Sequence, residues 1–195
     1  MTACERLVGL CPARRFRSFG RWAARIVVVS ICLLVAPAFA DVSKETQLKA
    51  VFLWRLAQFT EWPGEAFDSA ESPIVICILG ENPFEDALNA AVAGETAHGR
   101  KIVVQQHRLI EQLKSCHIVY FAAAPRAKAA VGSALGGRSV LTVRDVDGPA
   151  GAYDAIVSFV TEQNRIKLRI NRNAAIAARL VLDPRLLRAA EIVGE

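Results

Sequence analysis

Residues 74–79 read IVICIL, an unbroken apolar run that is mostly β-branched. Such a run is typical of a strand that is buried on both faces of a parallel sheet. Gly80 to Asn82 then turn the chain, and Asn82 with Pro83 is a helix-start signal, because asparagine caps helices and proline fits the first turn. The expected apolar stripe of that helix is Phe84, Leu88, Ala91 and Val92. This stretch therefore predicts a strand–turn–helix unit.

The alternation of strands and helices continues along the chain. The elements predicted after the first unit are strands at 101–106, 117–121 and 139–143 and helices at 109–113 and 125–135. Parallel strands need crossover connections of this kind, so the pattern predicts a mostly parallel sheet with helices on both faces. We expect a single α/β domain, in which the first and third strands are neighbours, as is common in doubly wound sheets.

The C-terminal part follows a different pattern. A strand at 155–160, a turn at 161–164 and a strand at 164–170 predict an antiparallel hairpin at a sheet edge. In its second strand apolar residues alternate with a cationic face, which consists of Arg165, Lys167 and Arg169. Asp183 and Pro184 then open a last helix. The inward residues expected of that helix are Leu186, Leu187, Ala190 and Val193.

Residues 1–40 have the three parts of a signal peptide. Arginines from Arg14 to Arg25 precede the apolar run 26–36, and Ala38-Phe39-Ala40 is a small-x-small cleavage site. An uncleaved anchor and the twin-arginine route are the alternatives, but the run is short for a membrane span. Cleavage leaves 41–195 as one domain with 18 basic and 18 acidic residues. The basic character lies in the leader, which argues against a nucleic-acid partner.

Two cysteines, Cys77 and Cys116, remain after cleavage. An even pair in an exported domain predicts a disulfide. Cys77 lies in the first predicted strand and Cys116 at the start of the third, and neighbouring strands are close enough for the bond. The closed loop of about 40 residues would stabilise the fold by roughly 4 kcal/mol in the chain-entropy model. Two free buried thiols are the alternative.

Few residues suggest catalysis. Cys116 with His117 could form a nucleophile pair, but Cys77 is the better partner for Cys116. His98 and His107 match no zinc pattern, and no phosphate-binding loop or nucleophile elbow is present. Asp145 and Asp147 lack the oxygen ligands that should follow in a calcium loop. We therefore expect that the protein is not an enzyme and that it binds no cofactor and no metal.

Aromatic residues are concentrated in and after the first predicted helix, which spans 43–60 with Ser43 as N-cap. Its apolar stripe is predicted to be Leu48, Phe52, Leu56 and Phe59. Trp54 lies beside that stripe, where a buried side cluster is the first expectation and an exposed interface anchor is the alternative. The candidate partner-binding residues are Phe52, Trp54, Phe59, Trp62, Arg165, Lys167 and Arg169. For the three cationic residues, a solvated edge strand guarded by charge is the alternative.

An ordered set of motifs along the mature chain resembles the YfiR family. The motifs are 49-KAVFL-53, 59-FTEWP-63, 76-ICILG-80 with Pro83-Phe84, 99-GRKI-102, 116-CHIVY-120, 139-SVLTV-143, Phe159, 164-NRI-166, 170-IN-171 and 186-LLR-188. The resemblance implies a periplasmic α/β protein that represses a membrane-bound diguanylate cyclase by binding its periplasmic sensor region. It also implies a response to envelope redox state through cysteines, and Cys77 and Cys116 match a family pair.

The chain departs from that family in one region. Some relatives carry a second cysteine pair near 148–158, which this chain lacks, and residues 151–156 read GAYDAI. The leading hypothesis is a periplasmic protein that binds and inhibits the sensor region of a membrane signalling enzyme, first of all a diguanylate cyclase, with regulation of a histidine kinase as one alternative. Another alternative is a periplasmic small-molecule binding module with a ligand at the strand carboxyl ends. A homodimer is compatible with either hypothesis, and neither includes a membrane span after cleavage.

Overall fold

The computed structural model describes residues 43–122, 134–146 and 155–194. Its helices are α1 (Lys44–Gln58), α2 (Ala87–Val92), α3 (Arg172–Ala177) and α4 (Pro184–Ala189), with 3-10 helices at Gly64–Ala66 and Ile110–Ser115. Its strands are β1 (Thr60–Glu61), β2 (Ile74–Leu79), β3 (Thr96–Ala97), β4 (Arg100–His107), β5 (Ile118–Phe121), β6 (Leu141–Asp145), β7 (Val157–Glu162), β8 (Arg165–Asn171), β9 (Val181–Leu182) and β10 (Glu191–Val193). The predicted helix at 125–135 lies almost wholly outside the described residues.

The main sheet confirms the predicted fold class. Its strand order is β10-β8-β7-β6-β5-β2-β4-β3, and β4, β2, β5, β6 and β7 run parallel. Strand β8 pairs antiparallel with β7, which is the predicted hairpin. The first predicted strand, β2, lies between the second, β4, and the third, β5. The chain is thus a mostly parallel α/β sheet flanked by helices.

Strand β2 is buried along its whole length, as its composition predicted. Ile74, Ile76 and Ile78 belong to one core with α1 and α2. The alternate residues Val75, Cys77 and Leu79 belong to a second core on the other face. Because successive side chains in a strand point to opposite faces, one strand supplies both cores. We call these cores the helix-side core and the disulfide-side core.

Helix α1 begins as predicted but buries a different face. The Ser43 hydroxyl accepts a hydrogen bond from the Thr46 amide at 3.1 Å. Leu48, which was placed in the apolar stripe, is 46% exposed, whereas Trp54 is only 6% exposed. The buried set is Lys49, Ala50, Leu53, Trp54, Leu56 and Ala57. Trp54 is therefore not an exposed interface anchor, and the predicted stripe is wrong at Leu48, because the helix is turned by roughly a third of a turn so that its alanines face the core.

The helix predicted after β2 starts four residues late. The Asn82 side chain accepts from the Phe84 amide at 2.9 Å and donates to the Glu85 carbonyl at 3.0 Å. Glu85 has a positive φ of 47°, which is incompatible with a continuous helix. The asparagine therefore closes a local turn, and α2 begins only at Ala87. Phe84 and Leu88 are nevertheless buried as expected.

The hairpin is confirmed, but a short further strand covers part of the sheet edge where it was expected to lie. Gln163 and Asn164 have positive φ values of 49° and 61°, the geometry of a two-residue turn that matches strand twist. Strand β10 covers only the last part of β8, since it pairs parallel with Arg169, Ile170 and Asn171. The last predicted helix stops at Ala189, and the chain then extends to satisfy the backbone groups that β8 would otherwise leave open.

Three short elements, α3, β1 and β9, were not predicted from the sequence. Helix α3 starts where the Asn171 side chain accepts from the Ala174 amide at 2.9 Å. Strands β1 and β9 pair antiparallel in a separate two-residue ribbon, which joins the end of α1 to the segment before α4. Such two-residue strands have no sequence period that could reveal them.

An ion pair ties α1 to the sheet. The Lys49 ammonium lies 2.5 Å from Asp145 at the end of β6 and 2.6 Å from Glu45. Burial alone would lower the pKa of Lys49, but the hydrogen bonds to Asp145 and Glu45 outweigh it and raise the pKa above its usual value. The charged form is therefore favoured in the folded protein, although the residue is almost fully buried.

Replacing Lys49 by methionine should lower the free energy of unfolding by about 3 kcal/mol, because the half-buried Asp145 carboxylate loses the Lys49 cation. Urea unfolding followed by circular dichroism measures the change. Lys44→Met in the first turn of the same helix is the matched control, since Lys44 is exposed, and it should change stability by less than about 0.5 kcal/mol. Equal effects of the two substitutions would contradict the importance of the pair.

Candidate functional site

The structure joins Cys77 and Cys116 by a disulfide with a Cα–Cα distance of 5.8 Å. Cys77 is 0% exposed and Cys116 is 2% exposed. Cys116 was expected at the start of the third strand. Instead, it caps the C-terminal end of the 3-10 helix before β5. The bond therefore fastens that 3-10 segment onto the disulfide-side face of the central strand. Its neighbours in this core are Val75, Leu79, Leu113, Val119, Phe121, Leu135 and Val140.

Arg138 holds the same segment by hydrogen bonds to backbone carbonyls. Its guanidinium donates to Leu113 at 2.7 Å, to Cys116 at 3.4 Å and to Lys114. Partial burial lowers the pKa of Arg138. Three carbonyls at the end of a helix are groups that need donors. The Cys116 segment is thus positioned by two independent contacts, one covalent and one polar.

His117, the residue after Cys116, fastens the other side of the sheet. Its Nδ1 accepts from the Val75 amide at 3.1 Å, and its Nε2 donates to the Ala66 carbonyl at 3.1 Å. The ring stacks on Phe67 at 4.5 Å and meets the edge of Trp62 at 6.1 Å. Burial lowers the pKa of His117, and the hydrogen bond to Ala66 only partly opposes this. The imidazole is therefore neutral and structural.

Neither partner of the Cys116–His117 pair is available for nucleophilic chemistry. The Cys116 sulfur is bonded to Cys77, and both imidazole nitrogens of His117 hold backbone groups. A catalytic dyad needs a free thiolate within hydrogen-bond reach of a free nitrogen. His98 is likewise engaged, since its Nε2 lies 3.1 Å from the Ala57 carbonyl.

His107 is the functional candidate that sequence reasoning missed. It ends β4, and one of its ring nitrogens lies within 4.8 Å of the sulfurs of both Cys77 and Cys116. In the part of the chain that the structure describes, these three residues form a group with the chemistry and spacing of metal ligands. The signal was available only through strand register, because β4 aligns Leu79 with His107 and Cys77 with Gln105. Of the two calcium candidates, Asp145 binds Lys49, and Asp147 lies outside the described residues.

The predicted aromatic contacts are only partly accessible. Phe52, Phe59 and Trp62 are half-buried and pack against the helix-side core. Phe52 lies 6.5 Å from Phe159 of β7, and the Phe59 ring lies under the Arg185 guanidinium at 5.5 Å. The apolar side chain that α1 does expose is Leu48. This group belongs to the helix-side face of the sheet.

The cationic residues of β8 belong to the opposite face. Leu168 and Ile170 lie in the helix-side core, so Arg165, Lys167 and Arg169 point away from it. Lys167 pairs with Glu162 at 2.6 Å, and Arg169 pairs with Glu191 at 3.2 Å. The seven residues proposed as a partner site therefore do not form one surface.

Arg169 is part of a polar row across four strands. The pairing register aligns Arg144, Ser158, Arg169 and Glu191, one from each of β6, β7, β8 and β10. These side chains line a hollow of about 280 Å³. The acidic member of this row, Glu191, comes from β10. The sequence analysis did not predict this strand, because it extended the last helix over these residues.

Residues 46–191 match a family model described as YfiR/HmsC-like. The chain belongs to this family. The matched region runs from α1 into β10 and includes Cys77, His107, Cys116 and His117. No curated protein gives a significant match.

Among the helices that the structure describes, none combines the length and apolar character that a membrane crossing requires.

Removing the disulfide should destabilise this YfiR/HmsC-like domain by roughly 4 kcal/mol. The bond joins cysteines 39 residues apart in sequence, and without it the unfolded chain gains conformational entropy. Urea unfolding of the oxidised protein, the reduced protein and Cys77→Ala/Cys116→Ala measures this. The reduced protein and the double variant should agree within about 1 kcal/mol, since both lack the cross-link. If all three proteins unfold at the same urea concentration, the bond does not stabilise the fold.

The burial of His117 should make stability depend on pH. Its pKa is lowered in the folded state, so its contribution is complete above the unfolded value of about 6.5 and declines as the pH falls below it, because only the unfolded chain takes up the proton readily. His117→Asn should remove this part of the pH dependence. It should also lower the free energy of unfolding by about 1–2 kcal/mol at pH 7.5, because the substitution removes the hydrogen bond to the Ala66 carbonyl. The measurement is the difference between variant and wild-type unfolding free energies from pH 7.5 to 5, in which shared titrating groups cancel. A difference that does not change with pH would contradict the prediction.

Proposed function

We propose that residues 1–40 are removed as a signal peptide on export and that residues 41–195 act in the periplasm. There the protein binds the periplasmic sensor region of an inner-membrane signalling enzyme and inhibits it. The proposed target is a diguanylate cyclase, so that loss of the protein raises intracellular cyclic-di-GMP. The protein acts by stoichiometric binding and not by catalysis.

The observation that carries this proposal is the family match over residues 46–191. Two features of the site support it. The disulfide suits an oxidising compartment, where such bonds form and persist. The thiol and imidazole groups of Cys116 and His117 are engaged in structural bonds, which fits a binding protein better than a hydrolase.

The outer side of α1 is the surface that we propose for the partner. Leu48 is 46% exposed, and Val51 and Phe52 beside it are half-buried, so an apolar patch interrupts an otherwise polar helix surface. The patch stands on a rigid base, because Lys49 anchors the same turn to Asp145 and Phe52 packs on Phe159. A rigid apolar contact loses little conformational entropy on binding. The cationic residues of β8 on the other face would make a separate contact with an acidic partner.

Deletion of the gene should raise cyclic-di-GMP, and expression of the wild-type protein should reverse the rise. The reason is that a repressed cyclase becomes active when its inhibitor is missing. Mass spectrometry of nucleotide extracts measures the change. Complementation by Cys77→Ser/Cys116→Ser at matched protein level tests whether the disulfide contributes to repression.

Binding measurements with purified variants test the α1 surface. Leu48→Glu should weaken binding to the purified sensor domain at least tenfold, because it places a charge in an apolar contact. Ile176→Glu is the matched control, since Ile176 is 60% exposed on α3, and it should bind like wild type. Unchanged cyclic-di-GMP on deletion would contradict a cyclase target and favour a histidine kinase. Equal binding by the two variants would contradict the α1 surface while leaving the target standing.

A further inference from the structure

Three soft or borderline metal ligands meet beside the central strand. The sulfurs of Cys77 and Cys116 and one ring nitrogen of His107 all lie within 4.8 Å of one another. Donor atoms bound to one ion at about 2.0–2.3 Å fall within this spread. We propose that the reduced protein binds one monovalent copper ion through Cys77, Cys116 and His107, and that the disulfide form does not. This inference goes beyond the proposed function and does not depend on it.

The hydrogen bonding of His107 prepares it for coordination. Its Nε2 lies 3.2 Å from the Gln105 side-chain oxygen. A carbonyl oxygen only accepts, so Nε2 carries the proton and Nδ1 keeps the lone pair. Gln105 is the register partner of Cys77, so both side chains stand on the same face of neighbouring strands. A hydrogen bond from the other ring nitrogen is the usual support of a histidine that binds a metal, and this contact leaves Nδ1 as the nitrogen that the proposed site uses.

The surroundings of the site favour copper(I). Both cysteines are buried among aliphatic and aromatic side chains, whereas His107 is half-buried and so partly accessible to solvent. Thiolates and imidazole select soft cations, and copper(I) accepts two or three ligands. Zinc(II) in a structural site requires four. The group that the structure describes offers three, with no carboxylate within the same 4.8 Å spread.

The site and the disulfide exclude each other. A dithiol reductant gives two electrons and two protons to the Cys77–Cys116 bond and is itself oxidised to a disulfide. The two protein thiols then bind the copper ion as thiolates and release their two protons. The cation is neither oxidised nor reduced in this sequence. Bound copper would therefore hold the protein in its reduced form.

Anaerobic titration of the reduced protein with copper(I), in competition with the chromophoric chelator bicinchoninate, tests the proposal. Cys4, Cys11 and Cys32 provide background binding if the leader is retained. Cys77→Ser/Cys116→Ser keeps those residues and measures that background. We expect the reduced wild type to bind one more copper ion per chain than this variant. X-ray absorption of the additional ion should show two sulfur ligands and one nitrogen ligand.

The role of His107 is tested separately. His107→Asn and His107→Gln should each weaken copper binding at least about tenfold, because a ligand is lost. His98→Asn is the control and should bind like wild type. Re-formation of the disulfide on oxidation shows that each variant is folded. No additional ion relative to the cysteine variant would overturn the site, as would unchanged affinity in both His107 variants. Tighter binding of zinc(II) than of copper(I) would overturn the choice of metal.

Discussion

The burial of β2 on both faces is the constraint on which the rest of the structure depends. Its six residues are all buried, and they divide between the helix-side core and the disulfide-side core. A strand in that position needs hydrogen-bonded neighbours on both edges and a cover on both faces. Strands β4 and β5 supply the edges, while α1 with α2 and the 3-10 segment before β5 supply the covers. Each remaining element is placed relative to this strand.

The two covers are held by different chemistry. Aliphatic and aromatic packing and the Lys49–Asp145 pair hold α1, so this side depends on burial and charge. A covalent bond and the Arg138 guanidinium hold the Cys116 segment, so this side depends partly on redox state. Reduction would therefore loosen one face while the other stays packed. The stability of the disulfide-side face therefore depends on redox state, whereas that of the helix-side face does not.

The accuracy of the sequence predictions follows from the physics of each element. Strand β2 and the β7–β8 hairpin were predicted because burial on both faces and strict alternation leave different signatures. The buried position of Leu48 was wrong, because the large apolar side chains were taken to define the buried face, whereas Ala50 and Ala57 let α1 approach the sheet. The last helix was drawn too long, because its apolar residues serve equally well in β10, and only the open edge of β8 decides between the two.

The candidate site was half visible for a similar reason. The pairing of the two cysteines could be predicted from their number and from the expectation of export, but a histidine beside them is recognised only when strand order and register are known. In the sheet, β2 lies between β4 and β5, so a residue in the middle of β2 has β4 on one side and β5 on the other. Cys77 therefore meets Cys116 from the β5 side and His107 from the β4 side. Since the chain crosses over twice to build that order, residues 30 and 39 positions away become neighbours of one sulfur. The parallel topology thus creates the three-ligand group, and no local motif could have encoded it.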